Sequence, residues 1–153
     1  MHNNYIRTIA LVERLHRQFL ELVRLELDGL GIHDINNAQA LSLFNIGDAE
    51  MTVGELGLSG CYLGSNVSYN LKKMVENGYL TQERSMHDRR RIDVRVTEKG
   101  ARLCDKLQQM HQRQLEMLHQ TAVTEEDLRV LTKTLGRLER FWVRVPEVNR
   151  AAA

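Results

Sequence analysis

The stretch Tyr79-Leu-Thr-Gln-Glu-Arg-Ser-Met-His-Asp-Arg-Arg-Arg-Ile-Asp-Val-Arg-Val-Thr-Glu-Lys-Gly100 decides how the chain is read. Its second half alternates strictly. Ile92, Val94 and Val96 are apolar and Asp93 and Arg95 lie between them, the period-two pattern of a strand with one buried face. Residues 79–85 are β-like too, and Met86-His-Asp-Arg-Arg-Arg91 between the two runs is too charged to be core. The pattern predicts a β-hairpin with a basic tip, followed by a helix that Thr97 caps.

Upstream, the period changes to that of helices. Val67, Leu71, Met74 and Val75 share one face of a helix that begins near Gly64 and ends at Asn77-Gly78, a pair that tolerates the left-handed conformation of a C-cap. Thr52-Val-Gly-Glu55 is a capping-box pattern, so a short helix starts there, and Gly57, Ser59 and Gly60 leave it little room. Two short helices joined by a glycine-containing turn outline a helix-turn-helix.

Long helices flank this centre. From about Tyr5 to Leu30, Ile9, Val12, Leu15, Phe19 and Leu22 recur at helical spacing until Gly29 and Gly31. Asp34-Ile-Asn-Asn opens a second helix through Leu41 and Phe44 to Gly47. After Thr97, Leu103, Leu107, Met110, Leu115 and Leu118 mark a helix to about Gln120. Thr124-Glu-Glu-Asp127 is another capping box, and Leu128, Leu131, Leu135, Leu138 and Trp142 follow at the three-four spacing of a helix-packing seam. The expected fold class is mostly α with a small β-hairpin wing. One domain is expected over 1–153, with 34–96 as the winged lobe and 1–31 and 97–145 as flanking helices.

Composition agrees. The chain has 153 residues, 42% hydrophobic and 27% charged, with one proline and 5% aromatics, a balance that suits helices and excludes disordered, collagen-like and membrane-spanning classes. Two cysteines are too few for a disulfide framework, and the N-terminal apolar stretch carries Arg and Glu, so a cytoplasmic protein is expected. Net charge is only +1, but it is unevenly spread. Residues 1–62 hold four Lys/Arg against eight Asp/Glu, whereas residues 63–99 hold eight against five. A local positive patch therefore lies on a near-neutral chain.

Helix, turn, helix and basic hairpin, in that order, resemble the MarR family of bacterial transcription regulators. Asp88, Arg90, Val94, Val96, Thr97 and Gly100 match that family's wing motif. Residues 13–17, 34–55 and 60–70 are also similar to a branch linked to regulation of a cell-wall L,D-transpeptidase gene. The resemblance implies that Arg90 enters a DNA minor groove and that Asp88 orients it through an ion pair. It also implies a repressor released by a small aromatic or phenolic effector, for which Phe19 and Phe44 are candidate lining residues.

The residues themselves support the DNA reading. Once Val67, Leu71 and Met74 are buried, Ser65, Tyr69, Lys72 and Lys73 point outward with Asn66 and Ser68 at the shoulders, offering hydrogen bonds to base edges and phosphates. Arg89 and Arg91 are expected on phosphates. The apolar stripes of the long first helix and the last two helices exceed what a chain this small can cover, so these are expected to be dimerisation helices, and a homodimer on a pseudo-palindromic double-stranded operator is expected. Two other readings stay open: a redox- or metal-responsive regulator on the same scaffold, through Cys61 or Cys104, and a winged-helix protein-interaction module. No cofactor, metal or catalytic constellation is expected. The four glycines 54, 57, 60 and 64 lack the Gly-Lys-Ser/Thr ending of a phosphate loop.

Overall fold

A computed structural model describes residues 1–47, 51–58, 66–88 and 90–151. The chain forms α1 (His2–Gly29), α2 (Asn37–Ile46), β1 (Met51–Thr52), α3 (Val53–Leu58), α4 (Val67–Glu76), β2 (Leu80–Arg84), β3 (Ile92–Val96), α5 (Glu98–Leu118) and α6 (Glu125–Ala151). Two compact units divide it, Met1–Met110 and His111–Ala153, with the boundary inside α5. No helix among the described residues is long and apolar enough to cross a membrane.

The first unit holds the core. Helix α2 is central, and Gln39, Ala40, Leu41, Ser42 and Leu43 are all buried, so it is covered on nearly every side. Around it gather Val23 and Leu27 of α1, Leu71 and Met74 of α4, Leu80 and Val94 of the sheet, and Leu103, Leu107 and Met110 of α5.

Helix boundaries follow the expected chemistry. Asn36 caps α2 in a capping box with Gln39: Asn36 Oδ1 accepts the Gln39 N–H at 2.8 Å and Gln39 Oε1 accepts the Asn36 N–H at 3.1 Å. Thr52 and Glu55 make the same reciprocal pair at α3, and Thr124 and Asp127 make it at α6. Helix α4 ends in a Schellman motif. Gly78, at φ +79°, donates to the Val75 carbonyl at 3.0 Å, and Tyr79 N–H donates to the Met74 carbonyl at 2.9 Å.

The hairpin pairs β2 with β3 antiparallel from Leu80 opposite Val96 to Arg84 opposite Ile92. A third strand joins it. Met51 pairs with Val94 and Thr52 with Asp93, giving the sheet order β1-β3-β2. Two residues are too short to carry an alternating pattern, so β1 left no trace in the periodicity. Helix α4 is described from Val67, with Asn66 before it; the expected start near Gly64 lies outside the described residues.

Helix α1 differs from its expected stripe in one respect. Val23 and Leu27 are the side chains it buries, while Ile9, Val12 and Phe19 are half-buried and Leu15 and Leu22 stay 50% and 47% exposed. In the second unit, no side chain described between residues 125 and 145 is buried, and Leu131 is 49% exposed.

The start of α5 is fixed by contact with the sheet. Thr97 Oγ1 accepts the Gly100 N–H at 3.1 Å and donates toward the Gly78 and Tyr79 carbonyls, and a Cβ on Gly100 would lie 2.5 Å from the Tyr79 carbonyl oxygen and 2.7 Å from Val96 Cγ1. That carbonyl also accepts the Thr97 N–H at 3.0 Å, so it has no room to retreat. Gly100→Ala should therefore cost about 1–3 kcal/mol through overpacking. The urea midpoint, read by circular dichroism, checks this, and an unchanged midpoint would contradict it.

Candidate nucleic-acid interface

Two surfaces carry the candidate residues, the outer face of α4 and the wing tip. On α4, Ser68, Tyr69 and Lys72 are exposed, Lys73 is half-buried, and Asn66 stands exposed just before the first turn. Val67 and Val75 pack against the core from the opposite side, beside buried Leu71 and Met74. Ser65 lies outside the described residues. Glu76 takes up both lysines, at 3.8 Å from Lys72 Nζ and 3.2 Å from Lys73 Nζ, and Lys73 also lies 6.0 Å from the Tyr69 ring centroid. Exposed pairs of this kind contribute only about 0–1 kcal/mol, so exchanging Glu76 for a phosphate costs the lysines little.

Two sets of hydrogen bonds hold α4 in place. Buried Gln39, besides closing the cap of α2, donates from Nε2 to Asn70 Oδ1 at 2.9 Å, and Asn70 Nδ2 donates to the Asn66 carbonyl at 3.1 Å. The cap of one helix thus grips the first turns of the next. The Asn-x-x-Gln pattern is visible in sequence, but its second arm reaches 31 residues away and leaves no local signal.

The other end of α4 is clamped by Asp34. Its Oδ1 accepts the Tyr79 hydroxyl at 2.6 Å, its Oδ2 accepts Lys99 Nζ at 2.6 Å, and its backbone carbonyl accepts Asn77 Nδ2 at 2.6 Å. Lys99 Nζ also donates to the Asn77 carbonyl at 2.8 Å and sits 4.3 Å from the Tyr79 ring centroid. Burial opposes ionisation of Asp34, yet the hydrogen bonds from Lys99 and Tyr79 hold its carboxyl below the usual range. Burial, with the Asp34 hydrogen bond and charge, pushes the Tyr79 phenol upward.

The wing tip is a closed loop of short-range bonds. Ser85 N–H donates to the Arg91 carbonyl and Arg91 N–H to the Asp88 carbonyl, both at 2.9 Å, while Ser85 Oγ accepts the N–H groups of His87 and Asp88 at 3.3 Å. Asp88 Oδ1 accepts the Arg90 backbone N–H at 2.9 Å, an Asx turn. Asp88 thus orients Arg90 through its main chain, where the family resemblance implied an ion pair between side chains. A short carboxylate bonding two residues on has the backbone amide within closest reach. Arg90 is exposed, Arg91 Nε is bound to Asp93 Oδ1 at 2.7 Å, and Arg89 lies outside the described residues.

Phe19 and Phe44 are each half-buried and packed against the core. Cys104 is half-buried against the same core, and Cys61 lies outside the described residues. Among the described residues no three His, Cys, Asp or Glu side chains gather in a way that could hold a metal ion.

Short helix, second helix with a polar outer face, and basic hairpin define a winged helix-turn-helix DNA-binding protein. Residues 35–100 match the winged helix DNA-binding domain family. The chain is 39% identical over 138 residues to the exopolysaccharide II synthesis transcriptional activator ExpG of Rhizobium meliloti (strain 1021), covering 90% of this chain and 71% of that one. Its fold is similar to that of Streptococcus pneumoniae FabT in complex with DNA, with TM-score 0.70, 23% identity and coverage of 92% of this chain and 99% of that one. A mutant MarR from E. coli complexed with operator DNA is similar at TM-score 0.68 and 22% identity, with coverage of 90% and 97%. The chain belongs to the winged-helix DNA-binding transcription regulators and has the fold of the MarR regulators, so its relatives are regulators and not enzymes.

The exposed wing separates two effects. Arg90→Ala should weaken DNA binding by about 1–3 kcal/mol with the circular dichroism spectrum unchanged. Asp88→Ala should cost less, because Arg90 stays present but its main chain is no longer held. Fluorescence anisotropy at matched salt measures both, and wild-type affinity in Arg90→Ala would contradict the assignment.

Proposed function

We propose that the protein is a homodimer that reads a pseudo-palindromic operator, with α4 in the major groove and Arg90 of the wing in the adjacent minor groove. The observation that carries this is the division of α4. Val67, Leu71 and Met74 fix its inner face, so Ser68, Tyr69 and Lys72, with Asn66, are what it presents outward. Ser65 completes the set at the amino-terminal end. Arg89 and Arg91 contact phosphates beside Arg90, where guanidinium, less hydrated than an ammonium, suits a narrow groove. FabT and the MarR mutant share this fold and are each seen in complex with DNA, which supports DNA as the partner here.

Residues 1–31 and 97–145 are the dimerisation helices. Leu11, Leu15, Leu22 and Leu25 of α1 and Leu131, Phe141, Trp142 and Val143 of α6 are 39–68% exposed in the single chain, more apolar surface than a lone protomer leaves in water. A two-fold axis then sets half-sites about one helical turn apart.

Binding over a promoter would make the protein a repressor, released by a small aromatic effector that Phe19 and Phe44 help to line. The relative ExpG is named an activator, and this favours activation as a second reading. A reporter driven by genomic fragments that the protein selects reads the sign directly. The protein acts in the cytoplasm, where its operator is.

Two experiments test the core of the proposal. Lys72→Ala should lower affinity for selected and random DNA alike and reduce the salt slope by about one, whereas replacing Ser65, Asn66 and Ser68 by Ala should mainly reduce the ratio between the two DNAs. An intact ratio in the triple variant would remove α4 as the reader. Glutamate at both Leu131 and Leu138 should yield monomer or unfolded chain by light scattering, since two unpaired charges would enter the interface. A folded dimer of unchanged mass would overturn the assignment of that helix.

A further inference from the structure

The α1–α2 connection, Tyr79 and the first turns of α5 line a cleft of about 680 Å3. Its apolar side is made by Ile32, Tyr79 and Leu103, the last two buried and Ile32 half-buried. Along the other side Lys99, Arg102 and Lys106 follow at i, i+3 and i+7, one face of α5. Against these three cations the lining supplies one carboxylate, Asp34, bound to Lys99. Arg102 is held by Glu98 in an exposed pair at 2.6 Å, with 64% and 89% of the side chains in water, which is readily exchanged. Lys106 has no acidic partner among the described residues.

We infer that this cleft binds a small organic dianion with an apolar body, the chemistry of an aryl phosphate monoester or an aryl dicarboxylate, and that binding draws Lys99 away from Asp34. Charge decides the ligand class. A monoanion could do no more on Lys99 than Asp34 already does, whereas a dianion can take Lys99 and engage Arg102 and Lys106 together. Arginine's planar fork suits two anionic oxygens, and the apolar side accepts the ligand's body. Occupancy reaches α4, because Lys99 and Asp34 between them hold both the carbonyl and the side chain of Asn77, the residue that ends that helix. The site stands by itself; its consequence for gene regulation rests on the reading of α4 as the DNA reader.

The test is a titration of the 15N-labelled full chain, without DNA and at constant ionic strength, with phenyl phosphate, phthalate and benzoate. One or both dianions should shift the amides of residues 31–34, 77–79 and 99–106 saturably, with benzoate at least tenfold weaker, and the tighter dianion tells phosphate from carboxylate. The double variant Arg102→Gln, Lys106→Gln should weaken the dianion at least tenfold. Asp34→Asn should tighten it several-fold, since a competing carboxylate is removed. Benzoate binding as tightly, shifts scattered over lysines elsewhere, no saturation by either dianion, an unaffected double variant, or weaker binding by Asp34→Asn would each overturn the inference. With no DNA present, such a failure leaves the operator reading untouched, and failed DNA binding leaves the cleft intact.

Discussion

The backbone of α5 lies against the Tyr79 carbonyl so closely that no side chain fits between them. With a Cβ 2.5 Å from that oxygen, residue 100 has to be glycine, and the other contacts of this junction assume the separation that glycine allows. Thr97 bonds the Gly78 and Tyr79 carbonyls only because α5 starts there. Lys99 meets Asp34 and Asn77 only because its helix lies that near. One missing methyl thus sets where the hairpin ends, where α5 begins and how the end of α4 is held, and it gives a physical reason for the Thr-x-x-Gly that closes the wing motif.

This junction also shows where sequence reading works and where it stops. The alternation over Ile92–Val96 and the capping patterns at Thr52 and Thr124 are local, so both are legible in the chain and present in the structure. The inner face of α4 is legible for the same reason, being a repeat within one helix. Asp34 gives no such signal. It sits in a short connection, 45 residues before Tyr79 and 65 before Lys99, and its importance arises only when folding brings those partners together. Asn70 is similar: a polar residue on a helix reads as solvent-facing until buried Gln39 is seen to reach it. Strand β1 carries no local signal either, because two residues contain no period.

Charge behaves differently from packing. The chain's net charge of +1 conceals a centre that is basic, and within that centre the cations are restrained to different degrees. Lys72 and Lys73 share Glu76, and Arg91 is bound to Asp93, whereas Arg90 has no acidic side-chain partner among the described residues. Weak exposed pairs keep the lysines near a set position and give them up readily to a stronger anion. Such a surface suits phosphates, which ask for charge in roughly the right place and tolerate variation in geometry.

The wing tip completes this division by separating rigidity from reach. Ser85, Asp88 and Arg91 tie the loop's main chain to itself, so the Cα of Arg90 is held while its guanidinium extends into solvent. An arginine on a mobile loop would lose both loop and side-chain freedom on entering a groove. Here the bonds of Ser85, Asp88 and Arg91 already hold the main chain around Arg90, so the proposed binding would leave mainly its side chain to be ordered. Had Asp88 paired with the guanidinium, that bond would have to break before DNA could be engaged. A carboxylate that grips the main chain instead positions the arginine without competing for its guanidinium, and this makes Asp88 compatible with the proposed role of Arg90 as a reading residue of opposite charge.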